Sequence, residues 1–284
     1  MRLREYAALF KLRLTSLVVF SAVLGYLFGV EPGGFQWTEV LLLILGGTLV
    51  TGASNALNQV LEVEEDALMK RTADRPLVRE AITLTEAIVL ALVAGLSGTL
   101  LLWKVFGPLT GILGFLSLFM YVALYTPLKK FSAWAVFVGA FPGAFPPMLG
   151  YVAATGHFGL GPGLLFAMQF MWQFPHFWAI AWVLHEDYQK AGYHLLPSRG
   201  GQDKFTAFQI LLYTLFVIPV GMLPWIFGLA GPVSAVVAVL AGAVMLVPAY
   251  RLYGSLDKKD ARKLMFASFI HLPVLQLAYV LDRT

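Results

Sequence analysis

Between Asn55 and Pro76 the chain reads NALNQVLEVEEDALMKRTADRP, which sets amides, carboxylates and basic side chains against the end of an apolar segment. On a continuous helix Asn55, Asn58, Glu62 and Asp66 fall within a stripe of about 60° to 80°, at roughly 100° per residue. Glu65 borders that stripe, Glu64 points away from it, and Lys70, Arg71, Arg75 and Arg79 follow at once. A face of oxygen ligands suits Mg²⁺, which takes one or two carboxylates together with phosphate oxygens, while lysine and arginine hold the remaining phosphate charge. The chemistry this predicts is metal-assisted handling of a diphosphate by Asn58, Glu62 and Asp66. A charge run can equally be a solvated loop. Here, however, two asparagines carry the face back into apolar sequence, where an unpaired amide is costly.

A second constellation runs over 170–192, FMWQFPHFWAIAWVLHEDYQKAG. It places Gln173, Pro175 and His176 in an aromatic helix and ends with His185, Glu186, Asp187 and Tyr188. His176 and Asp187 are eleven residues apart, three helical turns, which predicts a shared face with Gln173 close to it. Pro175 removes one helical hydrogen bond and predicts a kink beside the site. A histidine in an apolar helix is more often core than ligand, yet ionisable groups within membrane helices are functional candidates by default.

Between the two lie YVALYTPLKK, 121–130, and FPGAFPPMLG, 141–150. Lys129 and Lys130 read either as interfacial anchors or as cations that neutralise a diphosphate leaving group. The prolines and glycines of 141–150 predict a broken helix that widens the space for a bulky substrate. His271 and Gln276, near the carboxyl end, read as packing or hydrogen-bonded core.

The elements that must carry these residues are membrane helices. Of 284 residues, 59% are hydrophobic and 13% charged, with a mean hydropathy of +0.76, too little polar surface for a soluble domain of this length. Segments free of Asp, Glu, Lys and Arg run over 14–30, 40–61, 87–103, 105–128, 131–156, 158–184, 205–250 and 264–281. The seventh is long enough for two helices and divides at the turn residues 228–232, GLAGP. The expected fold is all-α: a polytopic integral membrane protein of nine transmembrane helices around a central cavity, forming one domain over 1–284. Leu14–Val30 reads as a retained first helix rather than a signal peptide.

Eighteen of the 20 Lys and Arg residues fall in loops on one side, with only Lys104 and Arg283 on the other. That bias puts the amino end and both motif loops in the cytoplasm. It also accounts for a net charge of +4 without nucleic acid as a partner; the surrounding partner is membrane lipid. The absence of cysteine excludes disulfides and thiolate ligands. A faint internal repeat is present as well. The second helix opens into an acidic loop at Asp66 and the sixth does the same at Asp187, and such symmetry places working sites at the repeat interface.

The string N-Q-x-x-E-x-x-x-D-x-x-M-x-R-T-x-x-R-P over 58–76 resembles the first acidic motif of the intramembrane aromatic (UbiA-type) prenyltransferase superfamily. Glu62 stands where bacterial members more often carry aspartate. The strings Y-T-x-L-K-K at 125–130, W-Q-x-P-H-F at 172–177 and E-D-Y-x-x-A-G at 186–192 resemble the haem-farnesylating branch of that superfamily. The resemblance implies Mg²⁺ held by Asn58, Glu62 and Asp66 with Glu186 and Asp187, a diphosphate bound by Arg71, Arg75, Lys129 and Lys130, and an acceptor side formed by Gln173 and His176. It implies farnesyl diphosphate and haem B as substrates and haem O as product. With no serine- and arginine-rich transit extension before the first helix, the expected location is a bacterial plasma (inner) membrane, and a haem A synthase is a candidate contact. Two other readings fit parts of the pattern: a sibling prenyltransferase acting on an aromatic quinone precursor, and a secondary transporter, whose coupling residues would lie nearer mid-bilayer.

Overall fold

A computed structural model describes residues 2–284. A short amino-terminal helix, α1 (Arg2–Leu9), leads into α2 (Leu12–Gly29), α3 (Trp37–Leu61) and the six-residue α4 (Val63–Leu68). Then come α5 (Leu84–Phe106) and α6 (Pro108–Phe119), the latter continuing through a π-helical turn, Met120–Tyr125, into α7 (Thr126–Leu128). The chain goes on through α8 (Ala135–Thr155), α9 (Leu160–Val183), α10 (His185–Lys190), α11 (Lys204–Gly221), α12 (Leu223–Ile226), α13 (Pro232–Ser255) and α14 (Lys258–Leu281). The long apolar stretch 205–250 does divide where the turn residues stand, between α12 and α13.

Among the described residues eight helices are long and apolar enough to cross a membrane, the span Pro108–Leu128 including the π-helical turn. The expected sixth span is present as α9, 24 residues without a charged side chain. It falls outside that set because Gln169, Gln173, Pro175 and His176 interrupt its apolar run. The outer faces of these helices carry exposed Leu, Phe, Val and Ile, as on Leu92, Val93 and Leu96 of α5 or Val236, Leu240 and Val244 of α13, the pattern of a bundle surrounded by lipid.

Helix α8 departs from expectation. It runs unbroken with Pro142, Pro146 and Pro147 inside it, and it is among the most buried helices of the bundle. Proline removes the donor that would satisfy the carbonyl four residues earlier, so Pro147 frees the Gly143 carbonyl. Gln169 of α9 supplies the missing donor, its Nε2 lying 2.7 Å from Gly143 O. Gln173 Nε2 donates to Ala140 O at 2.8 Å, and Ser117 Oγ lies 3.5 Å from Pro142 O, which Pro146 leaves free. The amides of α9 thus keep this proline-rich helix whole.

Nor do its glycines make room. A Cβ on Gly150 would sit 1.8 Å from the Ala22 carbonyl oxygen, and one on Gly25 would sit 2.0 Å from that of Pro147. Helices α2 and α8 therefore touch backbone to backbone, the small-residue packing of membrane helices. Because backbone atoms cannot swing aside, Gly150→Ala is expected to destabilise the fold by about 3 kcal/mol, the upper range for overpacking. Gly254→Ala on α13, where a Cβ meets nothing within 4 Å, should be tolerated. Thermal unfolding of the two variants in detergent, monitored by circular dichroism, checks the contrast, and equal midpoints would contradict it.

A second set of amides ties α2, α9 and α14 together in the bundle interior. Gln276 Nε2 donates to Ser21 Oγ at 2.8 Å and to Gln169 Oε1 at 2.7 Å, and Ser21 Oγ donates to Gln169 Oε1 at 2.9 Å. Gln276 is the hydrogen-bonded core residue expected. His271 is buried as expected, but neither of its ring nitrogens has a hydrogen-bond partner among the described residues.

Candidate active site

Both long helices that lead into acidic motifs end in the same way. Helix α3 stops at Glu62 (φ −116°, ψ 17°) and restarts as α4; α9 stops at Leu184 (φ −103°, ψ 17°) and restarts as α10. The two six-residue helices pack on each other, which gives the internal repeat a physical form.

The break at Glu62 means that the stripe from Asn55 to Asp66 does not run along one continuous helix. Asp66 N still reaches Glu62 O at 2.7 Å, so the turn is preserved and the four side chains stay together. Asn55, Asn58, Glu62 and Asp66 are all sealed, none more than 3% exposed, whereas Glu64 is exposed and Glu65 half-buried.

Buried carboxylates require partners, and each has a basic one. Lys129 pairs with Glu62, Arg75 with Asp66 and Lys130 with Glu65. Asn58 accepts from Lys11 Nζ at 3.3 Å and donates to Thr126 Oγ1 at 3.2 Å, joining α3 to the start of α2 and to α7. The Lys129 ammonium also lies 4.9 Å from the ring centre of Tyr125 and 5.4 Å from that of Tyr193, within cation–π range. Arg71 lies over Tyr188 at 5.9 Å. Burial pushes the Asp66 carboxyl above the usual carboxylate range, with Arg75 opposing the shift. Burial also holds the Lys11 ammonium well below the usual lysine range, and the nearby charges of Arg75 and Lys129 add to that.

Lys11, Tyr125 and Tyr193 were not singled out from the sequence as site residues. Lys11 counts there as one more charge of the basic loops, but it caps α2 in the left-handed region (φ 45°), a conformation uncommon outside glycine. Tyr193 packs in the loop after α10, its hydroxyl buried without a hydrogen-bond partner among the described residues. Burial raises its pKa, and Glu62 and Glu65 raise it further. No spacing rule selects one tyrosine among 11.

The second motif is less enclosed. Asp187 is half-buried, with Lys190 Nζ 3.3 Å from its Oδ1, and Glu186 is exposed. Among the described residues no group of three or more His, Asp or Glu side chains is drawn close enough to hold a metal. The donor set of the first motif nevertheless suits a hard cation. Asp66 Oδ1 and Glu65 Oε2 are buried with no hydrogen-bond partner, and Glu62 Oε1 meets Lys129 without hydrogen-bond geometry. Unsatisfied buried carboxylate oxygens beside an amide oxygen are the ligands Mg²⁺ takes.

Of the expected acceptor residues, Gln173 is committed to the α8 backbone. His176 lies between α9 and α14, its Nδ1 2.8 Å from Ser268 Oγ and its ring stacked on Trp172 at 4.2 Å between centres. Because α9 ends at Val183, the face proposed to join His176 to Asp187 is interrupted at Leu184. A cavity of about 90 Å³ at this end is lined by residues that include His185, Tyr188, Tyr193, His194 and Arg199.

A bundle of membrane helices whose one end gathers buried carboxylates, amides and five basic side chains belongs to a class: integral membrane proteins that handle anionic, oxygen-rich groups at helix ends. Comparison with known proteins narrows the class. The family model described as the UbiA prenyltransferase family matches residues 18–272. A protoheme IX farnesyltransferase from Cytophaga hutchinsonii is 48% identical over 99% of this chain and 98% of its own. One from Koribacter versatilis is 38% identical over 99% and 94%. Among solved structures, a digeranylgeranylglyceryl phosphate synthase superposes with a TM-score of 0.81 at 17% identity, covering 99% of both chains. A UbiA homolog from Archaeoglobus fulgidus bound to DMAPP and Mg²⁺ does so with 0.72 at 15%, over 97% of this chain and 99% of that one. The chain belongs to the UbiA prenyltransferase family and is a multi-pass membrane prenyltransferase.

Proposed function

We propose that this protein transfers a farnesyl group from farnesyl diphosphate to a vinyl group of haem B, making haem O. The observation that carries the chemistry is the sealed cluster of Asn58, Glu62 and Asp66 interlocked with Lys11, Arg75 and Lys129. The choice of haem rests on the curated relatives, named protoheme IX farnesyltransferases, together with the W-Q-x-P-H-F string.

Asn58, Glu62 and Asp66, with Asp187 and Glu186 on the facing short helix, are the residues that would hold Mg²⁺. A bound Mg²⁺ supplies charge neutralisation for the diphosphate oxygens. Arg71, Arg75, Lys129, Lys130 and Lys11 hold the diphosphate and stabilise the negative charge that builds on it as the allylic C1–O bond breaks, an effect magnified in a low-dielectric site. The electron pair of that bond leaves with the diphosphate. Vinyl π electrons form the new carbon–carbon bond at C1, and the resulting cation beside the porphyrin takes a water oxygen and loses one proton. The rings of Tyr125 and Tyr193 face cationic charge at this end already and suit an allylic cation equally. Gln173 and His176 form the acceptor side, deeper along α9.

In this reading residues 1–284 act as one catalytic domain in a bacterial plasma membrane. All nine long helices span it, and the basic loops hold the amino end and the motif end in the cytoplasm. Contact with a haem A synthase would pass the product on.

The test is diphosphate release from farnesyl diphosphate by the purified protein. Release is expected to require both haem and Mg²⁺, to fall to background with EDTA and to return on adding Mg²⁺. Haem-independent release, or efficient use of a hydroxybenzoate-type acceptor in place of haem, would overturn the assignment.

A further inference from the structure

We infer that Ser268 is a positioning residue for His176: it fixes the ring as the Nδ1–H tautomer and leaves the Nε2 lone pair as the atom presented to the acceptor. The inference rests on the acceptor-side reading of His176 given above.

A serine hydroxyl has one hydrogen to donate. Ser268 Oγ lies 2.7 Å from Met265 O, and a backbone carbonyl can only accept, so the hydrogen of Ser268 goes there. The same Oγ lies 2.8 Å from His176 Nδ1. With its hydrogen already committed, Ser268 can only accept from the ring, and Nδ1 must carry the proton. In a neutral imidazole Nε2 is then the unprotonated nitrogen.

Packing makes the assignment rigid. Ser268 is fully buried, and Trp172 Nε1 donates to its backbone carbonyl at 3.1 Å. The His176 ring is held between Trp172, stacked at 4.2 Å, and Phe269, edge-on at 5.1 Å. Nε2 of His176 has no partner among the described residues, yet it is absent from the sealed, unpartnered atoms, which include both nitrogens of His271 one turn from Ser268. Of these two buried histidines on neighbouring helices, His271 is therefore sealed at both nitrogens, and His176 keeps its Nε2 lone pair unpartnered and not fully sealed.

That lone pair restricts what it can meet. Haem vinyl and methyl groups are apolar, and ionised propionates are acceptors, so the haem atom that takes an imidazole lone pair is the iron. A histidine ligand whose other nitrogen donates to a fixed oxygen is the usual way a protein sets tautomer and ring orientation. The Ser268–Met265 pair does this here without a carboxylate, so it raises ligand basicity only modestly, which suits a substrate that must leave.

Two measurements test it. In protein labelled with ¹³C and ¹⁵N at histidine, without haem, a resonance set assigned by its loss in His176→Ala should carry the Nδ1–H signature. Ser268→Ala should convert it to Nε2–H or a mixture, and Ser268→Thr should keep it. In haem titrations Ser268→Ala should shift the Soret band and weaken affinity by about tenfold or more. It should raise KM for haem and leave KM for farnesyl diphosphate unchanged, with Ser268→Thr restoring the Soret band and the KM for haem. A wild-type tautomer and Soret band in Ser268→Ala would overturn the inference. If His176→Ala itself leaves the Soret band unmoved, the acceptor-side reading of His176 fails, and the tautomer measurement still decides the role of Ser268.

Discussion

Asp66→Asn is expected to lower farnesyl transfer at least about a hundredfold, the scale of losing one group that stabilises charge in a transition state, while the protein still inserts and folds. Asp66 is 1% exposed, with one oxygen on Arg75 and the other without a hydrogen-bond partner among the described residues. Asparagine keeps the shape and an oxygen for Arg75 but removes the negative charge a divalent cation requires. Asp187→Ala should cost as much activity for a different structural reason. Among the described residues its carboxylate has Lys190 as its one polar partner, at 3.3 Å, so the substitution leaves nothing buried unpaired and stability should not change. Size-exclusion profile and thermal midpoint establish folding, and haem-dependent diphosphate release at saturating Mg²⁺ reads the effect. Near-normal turnover in either variant would remove the metal model built on both motifs.

Lys129 and Lys130 are neighbours that should behave differently. The Lys129 side chain is 9% exposed, against Glu62 and between two tyrosine rings; that of Lys130 is 39% exposed, on the half-buried Glu65. Surface pairs contribute little, whereas a buried charge stripped of its partner is costly. A buried cation also stabilises a leaving diphosphate more than an exposed one does, so Lys129→Gln is expected to reduce kcat/KM for farnesyl diphosphate by about a hundredfold, near 3 kcal/mol at the usual conversion, with haem affinity unchanged. Lys130→Gln should change it by about threefold or less. Equal, small effects on kcat/KM from both would return the pair to the role of interfacial anchors.

How far the sequence could be read depended on the kind of force involved. Membrane helices are legible because lipid imposes a length and a hydropathy on each, and only α9 strays, through the glutamines and histidine that give it other work. The first acidic motif was legible because its residues are neighbours in the chain: the helix break at Glu62 shifted the geometry and kept Asn58, Glu62 and Asp66 together. What could not be read were partners from elsewhere. Pro142, Pro146 and Pro147 suggested a broken helix because the amides that satisfy α8 lie on α9, more than twenty residues on. Lys11 looked like a topological charge because its role depends on Asn58, 47 residues away. Ser268 stood in no motif, and His176 lies 92 residues from it.

The pairing of Glu62, Glu65 and Asp66 with basic side chains has a thermodynamic consequence. A divalent cation held by Glu62 and Asp66 draws on the same carboxylates that neutralise Lys129 and Arg75, and the positive charge those two side chains then carry unopposed is what an anionic diphosphate needs. A cation binding alone strands positive charge in a buried place, and an anion binding alone strands negative charge. Each ligand thus removes a penalty that the other would otherwise meet, which is heterotropic cooperativity with a reciprocal coupling free energy. Titrating Mg²⁺ with and without a non-hydrolysable farnesyl diphosphate analogue, and the analogue with and without Mg²⁺, should return the same factor from both directions. In Lys129→Gln, where nothing is left to strand on that side, the factor should shrink.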